Sequence, residues 1–340
     1  MRLRRLLLPL NPLYRLGLSW RERRLRRGRD PVRRLRFPVI SIGNLSTGGS
    51  GKTPLAIVMA KLLAARGFCV DVLSRGYGRQ SMAPVLVRPD GTAEEFGDEP
   101  LLIAREAGVP VFVAPHRYDA GSMAEAHFAS SRKNHPAEHV PSVHILDDGF
   151  QHRQLHRDID VVLLNRDDLQ DRLLPAGNLR EPLRALRRAA IAAIPADQPE
   201  LESELHAWGW DGTMWRIHRR MKVPPVDGPV AAFCGIARPA QFFAGLEAAG
   251  LRMAARTVFR DHHTYTAGDI QKLISEGRRM GAVLFLTTEK DRVRLGDLAL
   301  TFPAEMPLKC ASLEIEIENS ANALEGLAAR LAAASVAASL

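Results

Sequence analysis

Short apolar runs alternate along the chain with longer segments of mixed apolar and polar residues. Val39 to Ile42, Val109 to Val113 and Val143 to Leu146 are four or five residues long and rich in β-branched side chains, which predicts buried strands. The segments between such runs, for example Leu55 to Arg66, have the spacing typical of amphipathic helices. Alternating strands and helices in both halves of the chain predict an α/β protein with two doubly wound units.

The alternating pattern loosens between Pro199 and Asp227, where three tryptophans stand among polar residues. A loosened stretch of this kind is typical of a domain boundary. We therefore predict three parts: an N-terminal helix over residues 1–30, a larger doubly wound domain over 31–212 and a smaller α/β domain over 213–340. A chain of 340 residues is long for one hydrophobic core, which agrees with the division.

The first predicted strand runs into a glycine-rich turn and then a helix, with the sequence FPVISIGNLSTGGSGKTP over residues 37–54. A strand, a glycine-rich loop and a helix form the context of a phosphate-binding loop, in which backbone N–H groups point at phosphate oxygens. The lysine adds a positive charge and the threonine hydroxyl can ligate Mg²⁺, so the loop is predicted to hold a nucleoside triphosphate. The predicted binding residues are Gly48, Gly49, Ser50, Gly51, Lys52 and Thr53.

A later apolar strand ends in two adjacent aspartates, Asp147 and Asp148. Triphosphate sites use an aspartate in this position to hold Mg²⁺ beside the phosphate loop. The residues leave open which carboxylate contacts the metal, and an Asp-Gly turn would explain the pair without any metal. Because Gly-Lys-Thr precedes them in the same unit, the metal role is the favoured interpretation.

The positive charge of the chain is concentrated at its N-terminus, where residues 1–36 hold 13 arginines against Glu22 and Asp30. Leucines fall at helical spacing among these arginines, although Pro9 and Pro12 must shorten or break the helix. The pattern predicts an interfacial helix whose arginines face anionic lipid. A signal peptide is disfavoured because polar residues interrupt the apolar core. No run of about 18 apolar residues exists, so no membrane span is predicted.

These motifs, in this order, resemble the tetraacyldisaccharide 4′-kinase family of the lipid A pathway over almost the whole chain. The resemblance is carried by GNLSTGGSGKTP, LSRGYGR, GDEP, DDGFQHR, PAGNLREPL, DHHTY and TTEKD. Ser46 departs from the general phosphate-binding loop, which has a glycine there, but the serine is this family's own version. The resemblance implies Mg²⁺-dependent transfer of the γ-phosphate of ATP to the 4′-hydroxyl of a lipid disaccharide, tetraacyldisaccharide 1-phosphate, giving lipid IVA.

The resemblance also implies roles for particular residues. Asp98 and a histidine match the family's catalytic pair, with His262 preferred and His263 as the rival, while Lys52 acts on the phosphates. From its position alone, Asp98 also fits a helix N-cap. Positions tied to Mg²⁺ and the phosphates are matched by Thr53, Asp147, Asp148 and Glu181. Positions near substrate or nucleotide are matched by Arg75, Arg117, Gln151 and Arg180.

The resemblance further implies a peripheral enzyme on the cytoplasmic face of an inner membrane, held to anionic lipid by residues 1–30. We expect no nucleic-acid partner, because phosphate contacts need no leucines, and no obligatory protein partner. Two other classes stay open on the residues alone. One is a membrane-associated ATPase switch or scaffold, whose deviant loop has a lysine where Thr47 stands. The other is a membrane- or RNA-binding module with a regulatory ATP site.

Overall fold

The structure is a computed structural model that describes residues 3–49, 51–133 and 140–339. Its strands are β1 (Val39–Asn44), β2 (Cys69–Ser74), β3 (Val85–Leu86), β4 (Val111–Val113), β5 (Ser142–Asp147), β6 (Ile159–Leu163), β7 (Ile191–Pro195), β8 (Thr213–Lys222), β9 (Val230–Cys234), β10 (Met253–Val258), β11 (Leu284–Thr288) and β12 (Leu308–Ile317). Its α-helices are α1 (Asn11–Arg26), α2 (Lys52–Ala65), α3 (Ala93–Phe96), α4 (Asp98–Glu106), α5 (Arg117–Lys133), α6 (Arg166–Gln170), α7 (Glu200–Ala207), α8 (Pro239–Ala248), α9 (Ala267–Arg279), α10 (Glu289–Leu295) and α11 (Ser320–Ser339). The 3₁₀ helices are Leu3–Leu10, Leu183–Arg188 and Gly296–Thr301.

The described strands form one sheet with the order β10-β9-β11-β12-β8-β7-β6-β1-β5-β2-β4-β3. Neighbouring strands run parallel except β12 with β8 and β3 with β4, which are antiparallel. Parallel strands need crossover connections, and the helices between successive strands supply them. The prediction of an α/β fold with a largely parallel sheet is therefore confirmed.

Strand β8 joins the strands of the two predicted domains. It pairs in parallel with β7 on one side and antiparallel with β12 on the other, so strands from 31–212 and from 213–340 belong to one continuous sheet. Sequence patterning finds strands but carries no information on which distant strands pair. The division into domains stays a prediction.

Helix α2 is fixed against the sheet by an apolar face. Leu55, Met59 and Leu63 recur at the spacing of one helix face and are fully buried. They pack in the main core with residues of β1 and β5, such as Ile40 and Ile145. Each such side chain contributes about 1.5–3 kcal/mol when it is removed from water. This packing holds the N-terminus of α2, and therefore the glycine-rich turn before it, in one position.

A buried charged network ties the chain just before β1 to the sheet. His144 on β5 is fully buried, and its Nδ1 lies 2.8 Å from Asp71 Oδ2 on β2. Its Nε2 lies 3.5 Å from Glu125 Oε1 on α5, and Glu125 also accepts the backbone N–H of Phe37 at 2.9 Å. Burial alone would lower the pKa of His144, but the two carboxylates outweigh it and raise that pKa to about 9. The carboxylates therefore favour the protonated imidazole.

We expect His144→Leu to lower the free energy of unfolding by about 3–5 kcal/mol, because it leaves Asp71 buried without its cation. Since the folded pKa of about 9 lies above the unfolded value of about 6.5, the stabilisation is complete below pH ~6.5 and is lost as pH rises through 9. Urea denaturation across pH 6 to about 9.5 measures both effects. The double variant with Asp71→Leu removes both charges and should recover part of the loss; a single variant as stable as the parent chain contradicts the account.

The N-terminal segment is helical in two pieces. Pro12 stands in the first turn of α1, where a missing N–H costs nothing, so the prolines mark the junction with the preceding 3₁₀ helix. Leu13, Leu16 and Trp20 are each at least 60% exposed, and α1 buries none of its residues. Among the described residues, every helix is too short or too polar to cross a bilayer.

Candidate active site

The turn between β1 and α2, predicted from the sequence as a phosphate-binding loop, contains two glycines with positive φ angles. Gly48 and Gly51 have φ angles of 99° and 90°, a region that other residues enter only with strain. Ser46 is fully buried and has no such angle, so the turn needs no glycine at that position. Ser50, predicted to bind the triphosphate, lies outside the described residues.

Lys52 opens α2 and points back across the turn. Its Nζ donates to Asn44 Oδ1 at 3.1 Å and lies 3.5 Å from Asp148 Oδ1. Asn44 is the last residue of β1, so the lysine side chain connects the start of α2 to the end of β1. Thr53, next in sequence, is buried. Lys52 and Thr53 are therefore the first two residues of α2, directly after the glycine-rich turn.

The two adjacent aspartates at the end of β5 have different surroundings. Asp147 is buried, and its Oδ1 has no hydrogen-bond partner among the described residues. Burial, together with the nearby Glu99 and Asp148 carboxylates, raises the pKa of Asp147 well above its usual range. Burial also acts on Asp148, but Lys52 and Arg180 outweigh it and hold the pKa of Asp148 low. Asp148 is thus paired with two cations, whereas Asp147 is buried with one oxygen unpaired.

Parallel pairing brings Asp147 to the phosphate loop. In the register of β5 with β1, Asp147 stands opposite Ile42, two residues before the strand ends. Mg²⁺ prefers oxygen ligands such as carboxylates, hydroxyls, phosphates and water, so Asp147 and Thr53 carry ligand atoms of the right kind for this ion. Within the described ranges no three His, Cys, Asp or Glu side chains converge to hold a metal by themselves. A metal bound at Asp147 and Thr53 would take its other ligands from phosphate oxygens and water.

Glu181, predicted as a further metal residue, is engaged by arginines. Arg188 donates to Glu181 Oε2, and Arg21 of α1 lies 3.7 Å from Glu181 Oε1. Arg21 also donates to the backbone oxygen of Gln151, and Tyr14 donates to the backbone oxygen of Arg180 at 2.9 Å. The structure therefore places Glu181 where α1 meets the site and gives its carboxylate two cationic neighbours.

The four residues predicted to touch substrate or nucleotide have different surroundings. Arg180 clasps Asp148 at 3.0 and 2.8 Å, and Gln151 Nε2 donates to the backbone oxygen of Asn44 at 2.9 Å. Burial, reinforced by Arg75, lowers the pKa of Arg117 to about 10. Arg75 is exposed. Arg180 and Gln151 thus contact Asn44 at the end of β1. Arg117 and Arg75 place two positive charges near each other.

The structure brings Asp98 and His262 together from distant parts of the sequence. Asp98 is the first residue of α4, and His262 lies in the turn after β10 with a positive φ of 57°. His262 Nδ1 is 3.3 Å from Asp98 Oδ2. The carboxylate is buried, whereas the imidazole is 40% exposed. The hydrogen bond to Asp98 raises the pKa of His262.

The rival histidine faces another way. His263 Nε2 lies 3.1 Å from Asp269 Oδ2, and its ring stacks on Phe259 with centroids 4.7 Å apart. Asp269 also closes the capping box of α9 with Thr266. His263 therefore supports the start of α9, and His262 is the histidine that meets Asp98.

Residues that sequence reasoning did not single out complete the surroundings of Asp98. Arg294 on α10 donates to Asp98 Oδ2 through Nε and Nη2 at 2.8 and 2.5 Å, and Lys290 donates to Glu99. The ring of Tyr77 lies 5.3 Å from that of His262. Lys290 and Arg294 are spaced by one helical turn, a signal visible in the sequence, but only the fold places that turn against α4.

A glycine-rich turn with its lysine, a buried carboxylate and an imidazole in contact with a second carboxylate are the kinds of groups that phosphotransferase sites use. The fold and site together define an α/β enzyme of the kinase class.

The family described as tetraacyldisaccharide-1-P 4′-kinase matches residues 3–332. The chain therefore belongs to this family. A tetraacyldisaccharide 4′-kinase of Koribacter versatilis is 40% identical, with 93% of this chain and 96% of the relative covered. One of Aquifex aeolicus is 36% identical, with 90% and 95% covered. The crystal structure of the "apo" form of LpxK from Aquifex aeolicus in complex with ATP matches with a TM-score of 0.71 and 31% identity, and covers 97% of this chain and 99% of that one.

Proposed function

We propose that this enzyme transfers the γ-phosphate of ATP to the 4′-hydroxyl of tetraacyldisaccharide 1-phosphate and so makes lipid IVA. The observation that supports the proposal is the contact of Asp98 with His262, because a carboxylate paired with an imidazole can accept the proton of a hydroxyl. Lys290 links the two regions, because it pairs with Glu99 and acts electrostatically on both Asp98 and Asp147. Membership of the family supports the choice of acceptor.

The nucleotide would sit on a P-loop-like unit built from β1, the glycine turn and α2. The backbone at Gly48, Gly49 and Gly51 would present its N–H groups to the phosphates, and Lys52 would add its charge. The positive φ angles and the position of β1 between β5 and β6 support this assignment. The proposed domains remain 1–30, 31–212 and 213–340.

Thr53 and Asp147 would hold Mg²⁺, with Asp147 as the direct carboxylate. Its unpartnered Oδ1 supports this choice over Asp148, which Arg180 and Lys52 already occupy. Bound Mg²⁺ neutralises charge on the phosphate oxygens. Asp148 then serves a different purpose, since it fixes Lys52 and Arg180 at the edge of the loop.

Phosphoryl transfer passes through a loose transition state, so most of the rate enhancement comes from charge neutralisation and alignment. Lys52 supplies positive charge at the loop, and the Asp98–His262 pair takes the proton of the acceptor hydroxyl. Asp98 belongs to the proposed domain 31–212 and His262 to 213–340. Movement of these parts over ATP would bring the assembled pair to the acceptor and exclude water, which limits wasteful hydrolysis.

Residues 1–30 would hold the enzyme peripherally on anionic lipid at the cytoplasmic face of the inner membrane. The exposed Leu13, Leu16 and Trp20 on α1, together with its arginines, support an interfacial position. Tyr14 and Arg21 attach the same helix to the backbone at Arg180 and Gln151. A lipid substrate would therefore reach the site without leaving the surface on which α1 lies.

We expect the double variant Leu13→Ser/Leu16→Ser to bind anionic vesicles at least about tenfold more weakly, because burial of each leucine is worth about 1.5–3 kcal/mol. Co-sedimentation with vesicles containing phosphatidylglycerol measures this binding across a salt series. Leu300→Ser, at an exposed leucine in the other half of the chain, is the matched control and should bind normally. Unchanged binding of the double variant would contradict the interfacial helix, and tight RNA binding would point to a nucleic-acid module instead.

Incubation of the purified chain with γ-³²P-ATP, Mg²⁺ and tetraacyldisaccharide 1-phosphate tests the function. We expect label in the lipid, at the 4′-position when the product is analysed by mass spectrometry. Label released only as free phosphate would favour an ATPase switch and overturn the kinase assignment.

A further inference from the structure

Helix α10 places two cations against the first turn of α4. Lys290 pairs with Glu99, and one helical turn later Arg294 pairs with Asp98. The Arg294 side chain is only 7% exposed. Besides its two bonds to Asp98, its Nη1 donates to the backbone oxygen of Gly235 at 2.6 Å and to Asp291 Oδ1 at 3.1 Å. The guanidinium is therefore fixed by hydrogen bonds from Nε, Nη1 and Nη2, and it cannot move without breaking several of them.

The oxygen that Arg294 clasps is also the oxygen that faces the catalytic imidazole. Asp98 Oδ2 accepts from Nε and Nη2 of Arg294, and His262 Nδ1 lies 3.3 Å from the same atom. Nη2 itself is 3.5 Å from His262 Nδ1. A proton added to the Asp98–His262 pair would thus sit beside a fixed positive charge, which disfavours it.

Other charged groups also face the pair. Lys290 on α10 adds a second positive charge near Asp98. On the opposite side, Asp261 Oδ1 lies 4.0 Å from His262 Nε2. Asp291 is occupied by Arg294, the backbone N–H of Gly235 and Tyr265. Arg294 is the cation in direct contact with the Asp98 carboxylate, so its charge bears most closely on the pair.

We propose that Arg294 is a positioning residue of the kinase reaction, which fixes the Asp98 carboxylate toward His262 and keeps the pair unprotonated until the acceptor hydroxyl arrives. The inference rests on the proposed function. In the transfer step the acceptor oxygen bonds to the γ-phosphorus, and its proton passes to the pair. The bond from the γ-phosphorus to the bridging oxygen breaks, and its electrons leave with ADP. The charge of Arg294 also helps hold the pKa of Asp98 low, although burial opposes this.

The pH dependence of turnover tests this role. We expect Arg294→Gln to lower kcat at pH 7 at least about tenfold and to move the acidic limb of kcat/KM for the lipid upward by about one pH unit, with KM for ATP unchanged. Arg294→Lys keeps the charge, so the acidic limb of its kcat/KM profile should lie at the same pH as in the parent enzyme. Arg292→Gln removes the same charge from a half-buried position of α10 that bonds to Gly296 rather than to Asp98, and should change neither quantity. A loss in Arg294→Gln that is equal at every pH would show a structural role only and overturn the proposal.

A titration of His262 itself needs no turnover. In the full chain labelled with ¹³C-histidine, the His262 signal is assigned by its loss in His262→Gln. We expect the His262 pKa to rise by about one unit in Arg294→Gln and to stay unchanged in Arg292→Gln. An unchanged or lowered value in Arg294→Gln would overturn the proposal. Because this readout is independent of phosphate transfer, a chain that fails to phosphorylate the lipid yet shows the shift refutes the proposed function alone.

Discussion

Asp98→Ala and His262→Ala will each lower kcat by about 10²–10⁴-fold, while the KM for ATP changes by no more than about threefold. The two side chains contact each other and lie in different halves of the chain, so neither can hold the productive geometry alone. Steady-state kinetics with saturating lipid measure the loss, and nucleotide binding by calorimetry checks that the ATP site is intact.

The same pair predicts a pattern among variants. Because the two residues act as one unit, the double variant Asp98→Ala/His262→Ala should be about as slow as either single variant. His263→Ala is the matched control: its imidazole faces Asp269 and Phe259, so turnover should stay within about threefold of the parent enzyme. Near-normal turnover in Asp98→Ala or His262→Ala would remove that residue from the mechanism. A large kinetic loss in His263→Ala would reassign the histidine.

Lys52→Ala will lower kcat by about 10²–10³-fold and will also weaken ATP binding, because the ammonium contributes charge to both the bound triphosphate and the transition state. In the present structure it already spans the loop between Asn44 and Asp148. Calorimetric titration with a non-hydrolysable ATP analogue, beside steady-state kinetics, separates the two effects.

Lys61 provides the control for this variant. It lies on the same helix, α2, but is exposed, so Lys61→Ala removes an equal charge at a distance from the loop. Its kinetics should match those of the parent enzyme. If Lys52→Ala bound and turned over ATP normally, the glycine turn would not be the triphosphate site.

The parts of the site that lie close together in sequence could be predicted from it. The run from β1 through the glycine turn to Lys52 and Thr53 is local, and its conformation follows from glycines at the positions that need positive φ. The end of β5 at Asp147 was equally visible, because an apolar strand stops at an acid. Local chemistry and local backbone rules suffice for such segments.

Long-range placement could not be predicted in the same way. Arg294 and Asp98 are 196 positions apart, and the sequence around one residue does not indicate a contact with the other. The choice between His262 and His263 depended on the turn after β10. In this turn His262 contacts Asp98, whereas His263 contacts Asp269. Glu181 was expected at the metal. One of its arginine neighbours, Arg21, belongs to α1, and the position of α1 against the site depends on tertiary packing that the sequence pattern does not show.

A crystal structure of the full chain with a non-hydrolysable ATP analogue, Mg²⁺ and tetraacyldisaccharide 1-phosphate tests the central claim most directly. The account predicts the terminal phosphate against Lys52 and the glycine turn, with the 4′-oxygen in line with it and about 3 Å from the Asp98–His262 pair. A 4′-oxygen bound elsewhere, with Asp98 and His262 turned away from the terminal phosphate, would contradict it.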